Sequence, residues 1–282
     1  MARTLQVYQS LWAMQPHDAS GKILPYEAIV EKVADAGFAG MALDFGVTSE
    51  ADIRRILPMM ADAGLRPFLV DFPKTIEGLR PVLRLAREHD APFVVVIGQV
   101  MPLSVDGMIP VIRAWIAMSE EEGMPIQFET HRNCITNDLY TTLTLLDAIP
   151  EMRMCADLSH YLVEREIPFP ISPREQGHIR RILERSDSFQ GRVAGRQQIQ
   201  LPLAFPQSQQ WVELFKGWWR DGFASWQQRN AEGECVFLCE LGPPEYALTG
   251  PDGREMSSRW EEALTIRDWV QQIWADLEAE PG

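Results

Sequence analysis

Cysteine is scarce in this 282-residue chain: four residues, Cys134, Cys155, Cys235 and Cys239, with no CxxC spacing. That excludes a disulfide scaffold and gives no zinc signature. Cys235 and Cys239 lie four apart in a strand-like run, which puts both on one face and suggests a reduced core. Basic residues are also few: 26 Lys and Arg against 40 Asp and Glu leave a net charge of −14. Such a surface repels a phosphate backbone, so no nucleic-acid partner is expected, and the acidity reads as solubility. No window approaches the roughly 18 uninterrupted apolar residues of a membrane span. The start, Met1-Ala2-Arg3-Thr4, has one basic residue and no apolar core of signal length, so a cytoplasmic location is expected. A Gly-rich phosphate turn is missing too, since Tyr8-Gln9-Ser10-Leu11-Trp12 follows where a dinucleotide-binding fold would need one.

What is present is a repeated architecture. Short apolar runs at 4–11, 40–44, 67–71, 92–99, 125–129, 152–157, 189–193 and 236–240 each end near a polar residue. From Asp44 these end residues fall at Asp71, Gln99, Glu129 and Asp157, at intervals of 27 to 30 residues. A strand–helix unit needs about 30 residues. Helical patterns fill the intervals at 25–36, 49–64, 75–89, 104–122, 137–149, 173–185, 209–231 and 257–278. Ser49, Asn137-Asp138 and Ser257-Ser258 supply helix starts, and Gly37, Gly64 and Gly123 supply stops. Strand alternating with helix eight times, with 46% hydrophobic residues to fill a core, predicts a single-domain α/β fold, a (β/α)8 TIM barrel over 1–282. The rhythm breaks late. Gln190 follows Asp157 by 33 residues and Glu240 follows Gln190 by 50, and the surplus at 196–209 is expected to be a lid or a subunit-interface loop.

In a parallel barrel the C-terminal strand ends share one face, where active sites are built. Asp44, Asp71, Gln99, Glu129, Asp157, Gln190 and Glu240 therefore belong to one rim. Carboxylates converging there repel one another unless a positive charge lies between them, and a divalent cation is the simplest remedy. Glu129, Asp157 and Glu240 are the foremost candidates. His131 follows Glu129 by two residues and His160 follows Asp157 by three, so each imidazole lies just beyond a strand-end acid. His17, His89 and His178 have no such placement and read as structural. Trp218 and Trp219 share a helical pattern with Phe215 and read as packing against the barrel.

The segments FETHRN (128–133), ADLSHY (156–161), QGRV (190–193) and CELGPPEY (239–246) resemble the xylose isomerase-like barrel superfamily over almost the whole chain. That superfamily includes sugar isomerases and epimerases, inosose dehydratases and isomerases, and the endonuclease IV type of DNA-repair enzyme. The resemblance implies a metal site of Glu, Asp, His and Glu after strands five to eight, here Glu129, Asp157, Gln190 and Glu240. The departure is Gln190, where histidine is expected. An amide oxygen suits a hard cation better than a borderline one, so Mn²⁺ is expected, with Mg²⁺ or Co²⁺ acceptable and Zn²⁺ disfavoured. Loss of the metal, or His131 as a substitute ligand, are the alternatives.

By the same resemblance the substrate is a small carbohydrate-like hydroxy-ketone, and Glu129 and Glu240 move its proton through an enediolate. His131, His160, Arg192 and Arg196 would bind the substrate, and Trp12 would wall a sugar face or else pack in the core. A lyase or dehydratase sharing the same C–H abstraction is the rival reading, and a non-catalytic barrel that lost its metal through Gln190 is a second. A homodimer or homotetramer is expected from the resemblance.

Overall fold

A computed structural model describes residues 2–15 and 24–280. His17 lies outside the described residues. Eight parallel strands close into a barrel in sequence order: β1 Arg3–Ser10, β2 Gly40–Asp44, β3 Arg66–Asp71, β4 Val94–Val96, β5 Ile126–Glu129, β6 Met154–Ala156, β7 Ser186–Gly191 and β8 Gly233–Cys239. The β1–β8 seam runs in register from Arg3 opposite Gly233 to Gln9 opposite Cys239. Around it lie α1 Leu11–Met14, α2 Tyr26–Asp35, α3 Glu50–Asp62, α4 Arg80–Glu88, α5 Val105–Glu122, α6 Leu139–Ala148, α7 Leu158–Glu164, α8 Pro173–Leu183, α9 Gln209–Arg229 and α10 Arg259–Ala279. None of the described helices is long and apolar enough to cross a membrane.

The local signals act as expected at most helix ends. The side chains of Ser49, Ser104, Asp138 and Ser258 each accept from a backbone N–H in the first turn of their helices. Each satisfies a donor that the helix start leaves unpaired. Gly123 ends α5 at φ 64°, a left-handed conformation that an L side chain strains to adopt.

Alternation along the strands sorts side chains into two cores. Tyr8, Ala42, Phe68, Val70, Val95, Cys155, Val236 and Leu238 fill the barrel, whereas Met41, Leu43, Phe128, Phe189 and Phe237 pack outward under the helices. Trp218 and Trp219 of α9 lie in that outer layer.

Two differences from the sequence reading matter. The predicted run 189–193 is β7 Ser186–Gly191, three residues earlier at its start. Its first residues are polar and carry no apolar signal, yet each is paired. Ser188 points inward and donates to Gln127 Oε1 at 2.5 Å, and Asp187 accepts from Arg153 at 2.6 Å and Arg229 at 2.8 Å. The second difference is α7, which begins directly after Asp157. The Asp157 carboxylate caps it by accepting from Ser159 N–H at 3.0 Å. The segment 196–209 lies against the barrel. Leu201 N–H donates to Val193 O at 2.8 Å and Leu203 N–H donates to Glu262 Oε1 at 2.7 Å. Gln200 pairs through both ends of its amide with the backbone of Gly242, at 2.8 and 3.0 Å.

Candidate active site

Inward positions of a barrel strand stack in layers, two residues or about 6–7 Å apart. On β7 the first inward residue, Ser188, bonds Gln127. In the next layer Gln190 Nε2 donates to Glu129 Oε2 at 2.7 Å. Arg192, two residues further and just past the strand end, reaches the mouth. There its Nη2 donates to Asp157 Oδ2 and, at 3.0 Å, to Glu240 Oε2, while its Nε donates to Ser159 Oγ at 3.1 Å. Glu129, Asp157 and Glu240 follow the same inward parity on β5, β6 and β8. One carboxylate oxygen from each lies within 4.8 Å of the others, a grouping able to hold a metal ion.

All of this is out of solvent. Arg192 and Glu129 are each 1% exposed, and Asp157 and His160 are fully buried. Burial first, then repulsion from Glu240 and Asp157, pushes the Glu129 carboxyl well above the ordinary carboxylate range. Burial likewise raises Glu240 to about 8, against the opposing pull of Arg192. Asp44 rises to about 7 and Asp71 to about 6, both chiefly through burial. Arg192 is the counterweight: although burial opposes its charge, Asp157 and Glu240 hold it firmly protonated.

The two histidines are neutral donors and acceptors with assignable tautomers. Arg132 Nε donates to His160 Nδ1 at 3.1 Å, so the His160 proton sits on Nε2, 3.4 Å from Asp157 Oδ2. His131 Nδ1 faces the Arg132 carbonyl at 2.5 Å and must donate to it, which leaves Nε2 as a free acceptor. Burial lowers both, His131 to about 4 and His160 well below its usual value. The two rings stand 4.2 Å apart.

Trp12 stands at the mouth and meets Tyr246 edge-on, with centroids 4.9 Å apart. The guanidinium of Arg192 lies 4.9 Å from the Tyr246 ring centre and that of Arg132 lies 5.9 Å from it. Gly242 makes room for this pair, because a Cβ there would fall 2.4 Å from Trp12 Cη2. Arg196 is not brought into the cluster. It is exposed, donates from Nε to Glu166 O at 2.8 Å, and has Glu166 Oε2 3.7 Å from its Nη2. Sequence reasoning assigned no role to Ser159 or Tyr246, although both lie within the quoted segments. Spacing alone does not show how the turns fold them back over the mouth.

With Arg192 in place, Asp157 and Glu240 do not fit a divalent ion as they are arranged, while Glu129, His131 and His160 form a second grouping of metal-ligand reach. Asp157 Oδ2 and Glu240 Oε2 both accept from Arg192 Nη2. An ion held by the same oxygens would stand about 4 Å from the guanidinium. Two positive charges against one at that distance repel by roughly 8 kcal/mol at an effective dielectric of 20. Gln190 also turns its amide nitrogen, not its oxygen, toward Glu129.

Neither a protein-family model nor a curated protein sequence matches the chain. Solved structures do match over nearly its full length. A xylose isomerase-like TIM barrel protein from Mycobacterium smegmatis, in complex with magnesium, has a TM-score of 0.63 at 13% identity, covering 96% of this chain and 97% of that one. The chain has a (β/α)8 TIM-barrel fold. A D-allulose 3-epimerase from Methylomonas sp. superposes with a TM-score of 0.58 at 12% identity, covering 98% of this chain and 100% of that one. A probable 3-DHS dehydratase from Bacillus anthracis gives 0.54 at 14% identity, covering 93% and 98%. Identities this low establish the shared barrel, and the chemistry has to be argued from the mouth itself.

Proposed function

We propose that the protein is an isomerase or epimerase of a sugar, inosose or related hydroxy-ketone, with Glu129 and Glu240 as its proton-transfer pair. The observation that carries this reading is the buried grouping of Glu129, Asp157 and Glu240 around Arg192, whose Nη1 is buried and has no hydrogen-bond partner among the described residues. A carbonyl oxygen placed against Nη1 would meet a fixed positive charge in a water-poor setting, where such a charge acts most strongly. One carboxylate then removes the proton from the carbon beside the carbonyl. The electrons of that C–H bond pass to the carbonyl oxygen, giving an enediolate opposite Arg192. The other carboxyl, still protonated, returns a proton to the opposite face of the same carbon for epimerisation, or to the former carbonyl carbon for isomerisation. In isomerisation the adjacent hydroxyl passes its proton to the enediolate oxygen and becomes the new carbonyl. Burial raises both carboxyls above the ordinary carboxylate range, which supports their sharing one proton.

Asp157 orients Arg192 and His160 in this reading. His131 Nε2 accepts from a substrate hydroxyl, and Trp12 with Tyr246 covers an apolar sugar face. Arg196 is held away by Glu166 and is given no part. The expectation of Mn²⁺ would require Arg192 to leave Asp157 and Glu240, so no step is routed through an ion. The segment 196–209 serves as a brace for the loop after β8, through Gln200 and Gly242. The four cysteines are free and buried, as suits a reducing cytoplasm.

A β-elimination shares the same C–H abstraction, so product analysis must separate the two. The protein should be incubated in D₂O with a panel of ketoses, inososes and 3-keto-glycosides, and followed by NMR and mass spectrometry. Exchange of the α-proton with a product of equal mass, apart from deuterium, supports the proposal. Loss of water or another fragment assigns a lyase, and no exchange with any panel member contradicts the proton-transfer reading.

A further inference from the structure

We infer that Arg192 takes the place of a divalent cation at this barrel mouth, as a built-in charge that holds the strand-end carboxylates together without metal. The placement follows from the parity of β7 and the residue just past it, which sends Ser188, Gln190 and Arg192 inward in turn. Gln190 is level with Glu129 and answers it with a neutral amide donor at 2.7 Å. Arg192 is one layer higher, where its long side chain can reach between Asp157 and Glu240.

The guanidinium is 1% exposed, and its contacts close the cluster from three sides. Asp157 and Glu240 share Nη2, Ser159 takes Nε at 3.1 Å, and the Tyr246 ring lies 4.9 Å from its centre. Ser159 in turn donates to Asp157 Oδ1 at 2.5 Å, so the carboxylate's second oxygen is occupied as well. A surface arginine would show no such enclosure. A guanidinium is charged at every accessible pH, unlike a histidine, so the carboxylates are never released to an incoming ion by titration of their partner. Its Nη2 alone satisfies both carboxylate acceptors, which keeps Nη1 as a remaining donor toward a ligand oxygen.

This inference concerns how the carboxylates are held and stands whether or not the protein transfers protons. Chelator-treated wild type, Asp157→Asn, Arg192→Ala and Arg192→Ala/Asp157→Asn should be titrated with Mn²⁺ alone, with free Mn²⁺ followed by electron paramagnetic resonance. Weak binding to the acidic surface is common to all four and cancels in the comparison. Wild type and Asp157→Asn should take up the same amount of Mn²⁺. Arg192→Ala should gain one ion per chain, and the double variant should lose that gain. One more ion on wild type than on Asp157→Asn would overturn the inference. So would a folded Arg192→Ala that gains no ion. If Arg192→Ala does not fold, the comparison of wild type with Asp157→Asn still decides the matter.

Discussion

Replacing Asp44 by Asn should make the protein more stable at alkaline pH, and the size of the effect follows from where the carboxyl sits. Asp44 ends β2 at 7% exposure, and burial together with repulsion from Asp71 raises it from 3.8 to about 7. Its folded value lies above its unfolded value. Its favourable contribution is therefore complete below about pH 4 and is lost as pH rises through about 7. At about 1.4 kcal/mol per tenfold, the shift sets a ceiling of about 4 kcal/mol at pH 8. Water entry and local relaxation reduce this to an observable gain of about 1–2 kcal/mol. An Asn oxygen can still accept the Gly46 N–H that Asp44 takes at 2.5 Å, so little is lost in exchange. Urea denaturation of both proteins at pH 5 and pH 8 would measure the difference. The gain should appear at pH 8 and shrink at pH 5, with a melting point raised by about 2–8 °C at the higher pH. A variant no more stable at pH 8, or equally stabilised at both pH values, would refute the reasoning. Because Asp44 also raises Glu240, the same substitution should move the Glu240 titration downward.

Two further substitutions test the walls of the mouth. Gln200→Ala leaves the Gly242 N–H and C=O unpaired, each at a cost of about 1–3 kcal/mol. A lower melting point and a raised KM should follow, and an unchanged melting point would show that water replaces the amide. Gly242→Ala puts a methyl group 2.4 Å from Trp12 Cη2. Overpacking of this kind costs about 1–3 kcal/mol, and displacement of Trp12 should raise KM more than it lowers kcat. Unchanged KM would remove Trp12 from the substrate wall.

The barrel was legible in the sequence because its strands are apolar runs of fixed rhythm and its helices carry their own caps. The strand-end carboxylates were legible for the same reason, since Glu129, Asp157 and Glu240 each stand where an apolar run stops. The start of β7 was hidden, because paired polar residues do there what apolar ones do elsewhere. Gln190 and Arg192 share one parity and both enter the carboxylate cluster, and a one-dimensional pattern does not show how far a guanidinium reaches. The hold of Glu166 on Arg196 was equally invisible, because the partners lie 30 residues apart. His131 depends on a turn in which Asn133 adopts φ 55° and its N–H donates to Asn137 Oδ1 at 2.7 Å. Spacing places an imidazole near that turn without fixing the nitrogen it leaves free.

The role of Glu240 in moving a proton is tested most directly by deuterium incorporation at the α-carbon of a responsive substrate. Wild type and Glu240→Gln should be compared side by side in D₂O, with folding of the variant checked by its melting curve. A positioned acid or base contributes about 10²–10⁴-fold, so the variant should lose exchange by that order. Exchange by a folded Glu240→Gln at the wild-type rate would contradict the account.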